Sequence, residues 1–319
     1  MKKGVLLKFI TEKEVSSIID YPSLIEELRN TFISNIKVPN RIHQDYENPE
    51  EGIDSTLLLM PAWKPSEELG IKILTVSPNN SKYKLPGINA VYLLFDAQKG
   101  GIKSVIEAKK MTSMRTAAAS ALASSYLSRE DSKIMLMVGT GALSEELIRA
   151  HSTVRNIDKI YIWGRNKQNA LKIVDKLKDE FNIHAIDTIE EVISSVDIIS
   201  CATLSTEALL FGKNLRKGQH IDLVGSFKPN MREVDDELIS NVDIYIDTPL
   251  AKKETGDLKV PLEKGLISDN SIKADLFELT RNNELARVSN DQITLFKSVG
   301  HALEDFAAAR LIDKNFDKT

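Results

Sequence analysis

Two basic residues stand where apolar ones are expected. In Ile71-Lys72-Ile73-Leu74-Thr75-Val76, strand alternation puts Lys72 on one face with Leu74 and Val76. In the alanine-rich stretch 109–127, Met111, Arg115, Ala118 and Leu122 share one helical face at i, i+3, i+4 spacing. A cation on an apolar face needs an anion to meet it. For Lys72 the competing reading is a strand that starts late, with the side chain snorkelling to water. For Arg115 it is an internal ion pair with Asp or Glu. The functional alternative is a partner or a task for the lysine and an anion that meets the arginine.

A second constellation serves a different chemistry. Ile134-Met135-Leu136-Met137-Val138 breaks into Gly139-Thr140-Gly141-Ala142-Leu143-Ser144, and helix-forming residues follow from Glu145. A buried strand turning tightly into a helix aims bare N–H groups and the positive helix end at one spot, which suits a pyrophosphate. The third glycine of the G-x-G-x-x-G fingerprint is Ser144 here, a small enlargement where helix and strand pack closely. Alone the pattern is also compatible with a plain tight turn. After the next strand-like run, Ile160-Tyr161-Ile162-Trp163, come Gly164-Arg165-Asn166-Lys167, with no acid for a ribose hydroxyl. Arg165 can fork onto a phosphate, with Lys167 adding charge, which favours NADPH and leaves NADH open. A solvated turn is the bland reading.

These residues need a scaffold. Runs at 196–202, 220–225 and 243–247 continue the strand–helix alternation, predicting a doubly wound parallel sheet of Rossmann type, and α/β class overall. Before it, residues 11–36 read as helical, with Thr11 and Glu14 at capping-box spacing and Leu24, Ile25, Leu28 and Phe32 in a stripe. Strand-like runs follow at 55–60, 70–76 and 90–95, with a loop at Tyr83-Lys84-Leu85-Pro86-Gly87. Residues 291–311 read as a C-terminal helix able to return to the first domain. The expected division is therefore 1–128 with 291–319, a discontinuous α/β domain, around a Rossmann domain at 129–290.

At 319 residues the chain suits two domains. A formal charge of −4 without a long basic run gives no reason to expect nucleic acid or an anionic membrane as partner. With Cys201 the single cysteine, no intrachain disulfide is available, and a cytoplasmic setting is expected. Residues 1–8 are too short an apolar stretch for a signal peptide, and no segment approaches the roughly 20 apolar residues of a membrane span. The five histidines, His43, His151, His184, His220 and His301, lack paired metal spacing, so each is read as a surface or core residue and no metal is expected.

Taken together, the chain resembles the ornithine cyclodeaminase/mu-crystallin family over nearly its whole length. The elements are Val38-Pro39-Asn40-Arg41, Gly70-Ile71-Lys72, Met114-Arg115-Thr116-Ala117-Ala118-Ala119, Gly139-Thr140-Gly141-Ala142, Cys201-Ala202-Thr203, Val224-Gly225-Ser226-Phe227-Lys228-Pro229, Lys297-Ser298-Val299-Gly300 and Ala302-Leu303-Glu304-Asp305. The resemblance implies a homodimer, with the two-ended domain binding substrate and forming the dimer and the Rossmann domain holding the nicotinamide cofactor. It implies that Arg41, Lys72 and Arg115 gather around a substrate carboxylate and that Val299 touches the substrate. Along the cofactor it places Gly87, Arg115, Thr116, Gly139, Gly141, Ala142, Leu143, Arg165, Asn166, Thr203 and Ser298.

One departure selects a branch. Cyclodeaminases and related alanine dehydrogenases carry an aspartate two residues beyond the glycine matching Gly225; here it is Phe227. Phenylalanine has no proton to move and no charge to hold an ammonium. The segment is instead similar to that of reductases of 1-pyrroline-2-carboxylate and 1-piperideine-2-carboxylate, which form L-proline and L-pipecolate. Cyclodeamination of ornithine and amino-acid dehydrogenation remain the enzymatic alternatives, and a mu-crystallin-like NADPH-dependent binding protein the non-enzymatic one. In the reductase reading Lys72 is the candidate proton donor, with a pKa lowered by the neighbouring arginines.

Overall fold

The computed structural model describes residues 7–316 and Lys318. The first six residues of the stretch judged against a signal peptide lie outside these. The chain divides into two compact units, one of Met1–Arg115 with His301–Thr319 and one of Thr116–Gly300.

The first unit is built on a mixed six-stranded sheet. Its strands are β1 (Lys8–Ile10), β2 (Ile42–Tyr46), β3 (Ser55–Lys64), β4 (Glu68–Val76), β5 (Ile88–Asp96) and β6 (Ile102–Glu107), in the order β1-β6-β5-β4-β3-β2. Only the β1–β6 pair is parallel. Register lines up Met60, Lys72, Tyr92 and Ile106 across four strands, and Ala62, Gly70, Leu94 and Ser104 beside them, all buried. The helix Ala302–Phe316 packs on β3 to β6 and against the helix Tyr21–Ile33. In the latter, Leu24, Ile25, Leu28 and Phe32 are buried as the stripe requires, and Asp20 caps the start. Thr11 and Glu14 form the expected capping box on Glu12–Ile18. The opposite sheet face carries Leu59, Ile71, Ile73, Leu93 and Phe95, each only half-buried.

The second unit holds eight parallel strands: β7 (Ile134–Val138), β8 (Lys159–Trp163), β9 (Ile183–Ala185), β10 (Ile198–Cys201), β11 (His220–Leu223), β12 (Asp243–Ile246), β13 (Ile272–Asp275) and β14 (Thr294–Lys297). Their order is β13-β12-β14-β11-β10-β7-β8-β9. The strand order reverses between β7 and β10, the switch point where a doubly wound sheet opens a crevice at its carboxyl ends. Leu136, Val138, Ile199, Cys201, Ile221, Leu223 and Leu295 are fully buried in the core. Each such Leu or Ile contributes about 1.5–3 kcal/mol, so these strands read as continuous apolar runs rather than alternations.

The boundaries differ from those read in the sequence. The division falls inside the helix Ala108–Leu127 rather than near residue 128, and again at Gly300 rather than 290. Residues 291–311 are not one helix. Thr294–Lys297 is a fully buried strand inserted between β11 and β12, and the helix begins only at Ala302.

Candidate active site

Lys72 does not snorkel. The register of β4 aims it at the buried face between Met60 and Tyr92, where it is 2% exposed. Gly70 makes room two residues earlier, since a Cβ there would run into the Tyr92 hydroxyl. Nζ of Lys72 lies 2.7 Å from Oδ2 of Asp305. Arg115, on Ala108–Leu127, donates from Nε to Oδ1 of Asp305 at 2.9 Å and from Nη1 to Oε2 of Glu304 at 2.5 Å. All four side chains are buried. The internal ion pair open for Arg115 on sequence grounds is therefore what forms. Lys72 and Arg115 thus share a buried network with Asp305 and Glu304, as low-dielectric burial of unpaired charge is prohibitive. Nη2 of Arg115 is not engaged by any described residue.

The protonation states follow from this packing. Burial pushes the Lys72 pKa down to about 8, with Arg115 adding to the fall and Asp305 opposing it. The direction matches the sequence reading, but the leading cause is desolvation rather than like charge. Burial would raise the Asp305 pKa, yet Arg115 and Lys72 overcome it and hold the carboxyl below its ordinary range. Tyr92, buried beside them, has its ionisation pushed well up by burial and then by Asp305. Arg41 is half-buried just before β2. Its charge is felt at His301, whose pKa falls to about 4 through burial, then Arg41, with Arg115 also lowering it and Asp305 opposing. The charges of Arg41, Arg115 and Asp305 thus all act on His301, four residues before Asp305. The sequence reading had left His301 as an ordinary histidine.

The second unit carries the glycine loop. Gly139 follows β7 with φ +116°, and a Cβ on it would meet the carbonyl oxygen of Ala202 at 2.5 Å, so only glycine fits. Ser144, in the third glycine position, folds its hydroxyl back onto the Gly139 carbonyl at 2.9 Å. Gly141 and Ala142 are exposed, and Leu143 leads into the helix Ser144–Val154. A cavity of about 330 Å³ is lined by Gly139, Thr140, Gly141, Gly164, Arg165 and Thr203, among others. Arg165 is exposed at its rim, while Asn166 caps the helix Lys167–Leu177. Lys167 pairs with Asp187 at 2.5 Å. Thr116 is half-buried on its helix. Ser298 follows β14, its buried hydroxyl without a partner among the described residues. Val299 and Gly300 both donate backbone N–H to Asp247 Oδ2, at 2.8 and 2.7 Å. Gly87 lies in the first unit, exposed in the loop closing the β4–β5 hairpin and bonded through its carbonyl to Ser77.

A buried acid organises this crevice. Glu233 accepts from Thr203 N (2.7 Å), Thr203 Oγ1 (2.9 Å), Gly225 N and Ser226 N (3.1 Å each). It thereby ties together the loops after β10 and β11. Lys297, fully buried, lies 3.8 Å from Glu233 and 3.4 Å from Asp257. A Cβ-less Gly139, an open cavity and the orphaned Ser298 hydroxyl fit a bound dinucleotide. Sequence reasoning gave no role to Glu233, within the segment that follows Gly225, or to Asp247, at the end of the run 243–247. It also gave no role to Glu304 and Asp305, although two acids in the apolar run Ala302–Ala309 signal a buried cation as Arg115 signals an anion.

The fold and these sites define a two-unit α/β protein with a Rossmann-type half. The chain belongs to the ornithine cyclodeaminase/mu-crystallin family, whose sequence profile matches residues 5–319. It is 32% identical to the Delta(1)-pyrroline-2-carboxylate reductase of Colwellia psychrerythraea, across 96% of this chain and 98% of that one. It superposes on the Thermococcus litoralis Delta(1)-pyrroline-2-carboxylate reductase solved with NADH and L-proline, with TM-score 0.90, 30% identity and 98% of each chain covered. An archaeal alanine dehydrogenase dimer with bound NAD gives TM-score 0.88 at 25% identity, over 98% of this chain and 96% of that one.

Proposed function

We propose that this chain is an NAD(P)H-dependent imine reductase that converts 1-pyrroline-2-carboxylate, 1-piperideine-2-carboxylate or both to L-proline and L-pipecolate. The observation that carries the reading is the buried Lys72–Asp305–Arg115 network, with one nitrogen of Arg115 left unengaged, in a chain whose relatives include pyrroline-2-carboxylate reductases. Arg115 and Arg41 hold the substrate carboxylate. This fixes the ring and lets binding cover the entropy of bringing reactants together. A reduced nicotinamide, when bound, supplies the hydride, which adds to the ring carbon bearing the carboxylate. Lys72 gives a proton to the imine nitrogen, a task suited to a pKa of about 8. Val299 borders the substrate. Gly87, Thr116, Gly139, Gly141, Ala142, Leu143, Asn166, Thr203 and Ser298 serve the cofactor. Arg165 favours NADPH over NADH. Phe227, 42% exposed beyond β11, offers no acid for deamination.

The working form is a homodimer in the cytoplasm. What supports the dimer is the sheet face of Leu59, Ile71, Ile73, Leu93 and Phe95, apolar yet only half-buried, and a related alanine dehydrogenase that is a dimer. No described helix is long and apolar enough to cross a membrane.

The test is NADPH and NADH oxidation with each cyclic imine, beside ammonia release from L-ornithine with NAD. Imine-dependent oxidation is expected, and Lys72→Met should cut turnover by about 100-fold or more with nucleotide binding retained. Strong ammonia release and no imine reduction would overturn the reading.

A further inference from the structure

We infer that Asp305 is the positioning residue for the proton-bearing Lys72: its carboxylate, clamped between Lys72 Nζ and Arg115 Nε, fixes the ammonium in place and keeps its proton on until the imine takes it. The inference rests on the reductase reading and assigns a role that reading leaves open, namely what sets the charge state of the donor. The geometry is specific. Asp305 is fully buried, 2.7 Å from Lys72 through one oxygen and 2.9 Å from Arg115 through the other. Arg115 is in turn held by Glu304. Lys72 has no other anion at contact distance among the described residues. The remaining groups around the pair are Tyr92 from β5, a neutral phenol, and His301 and Glu304 from the helix start and first turn. Without Asp305, burial and Arg115 would act against the charged lysine with Glu304, which makes no contact with it, as the remaining opposing charge.

In the step itself, one proton passes from Lys72 Nζ to the imine nitrogen as hydride adds to the neighbouring carbon. The C=N π pair becomes the new N–H bond. Asp305 stays ionised throughout, and neutral Lys72 regains a proton from water before the next turnover. Arg115 has a second part in this arrangement, since its Nε anchors Asp305 while Nη2 stays available to the substrate carboxylate.

The test is the pH profile of kcat for imine reduction by wild type, Asp305→Asn, Asp305→Glu and Glu304→Gln. The wild-type rate should fall as pH rises through about 8, the pKa of Lys72. In Asp305→Asn the falling limb should move to lower pH by about 1–3 units, the effect of removing an opposite charge in contact. Asp305→Glu retains the charge and should leave the limb with wild type at reduced kcat. Glu304→Gln, which does not touch Lys72, should displace the limb less than Asp305→Asn does. Titration of the substrate's own imine is common to all four proteins, so a displacement between them reports the enzyme. A purely structural Asp305 would lower kcat at every pH without moving the limb, and that result overturns the inference. Should Asp305→Asn not fold, a limb displaced in Asp305→Glu overturns it equally. A wild type inactive on every imine overturns the reductase reading; an active wild type with an unmoved Asp305→Asn limb overturns this inference alone.

Discussion

Acidification should destabilise this protein through His301, by an amount the structure sets. Its pKa is about 4 in the fold against 6.5 when unperturbed, because burial, Arg41 and Arg115 disfavour the imidazolium. As pH falls, the unfolded chain therefore takes up this proton first, and stability drops across the window from 6.5 to about 4. Above the window both states are neutral, and below it both are charged. A drop of this size at about 1.4 kcal/mol per unit amounts to about 3 kcal/mol in full, of which about 2 kcal/mol is gone by pH 5. Against a typical total of about 5–15 kcal/mol, that loss is large. His301→Gln keeps a polar side chain of similar reach but cannot titrate. Urea unfolding of both proteins at pH 7, 6, 5 and 4.5 isolates the term, because every other group is shared. The wild type should lose about 2 kcal/mol more than the variant between pH 7 and pH 5. Superimposable pH dependence would show that His301 is not placed among those cations and would refute the argument.

Two further outcomes follow from the crevice of the second unit. Glu233→Gln turns an amide donor toward N–H groups that now share a carboxylate, so hydrogen bonds worth about 1.5–3 kcal/mol each are lost. Stability should drop by about 2–4 kcal/mol and NADPH affinity by about tenfold or more, read by denaturation and fluorescence titration; unchanged affinity would remove Glu233 as organiser of the Thr203 loop. Gly139→Ala forces a Cβ to within 2.5 Å of the Ala202 carbonyl at a backbone angle that L residues avoid. Nucleotide binding should become undetectable by calorimetry, and retained binding would count against the Gly139 loop as the phosphate cradle.

How far the sequence carries this structure depends on whether each signal is local. The strand–glycine–helix turn at Val138–Ser144 was legible because period, turn chemistry and helix formers change within a few residues. Lys72 and Arg115 were legible as anomalies, since each breaks an apolar face that its own element defines. Their partners were not, because Asp305 is 190 residues from Arg115 along the chain and no rule of local spacing links them. The strand Thr294–Lys297 was absorbed into the helix after it, since four residues are too few to display a period of two. The unit boundary was set near Ser128-Arg129-Glu130-Asp131 because polar residues end a helix there and mimic a linker. The actual division runs through a continuous helix, where composition does not change.

The first unit draws its last helix from the far end of the chain, and this orders events during synthesis. At about 5–20 residues per second, the ribosome needs roughly 10–40 s to travel from Arg115 to Asp305. Throughout that interval Lys72 on β4 and Arg115 on the helix Ala108–Leu127 precede the two acids that meet them in the fold. The central unit, Thr116–Gly300, is complete before Glu304 and Asp305 emerge. Translation therefore delivers the glycine-loop unit whole while the first unit still lacks the helix start whose two acids meet its waiting cations.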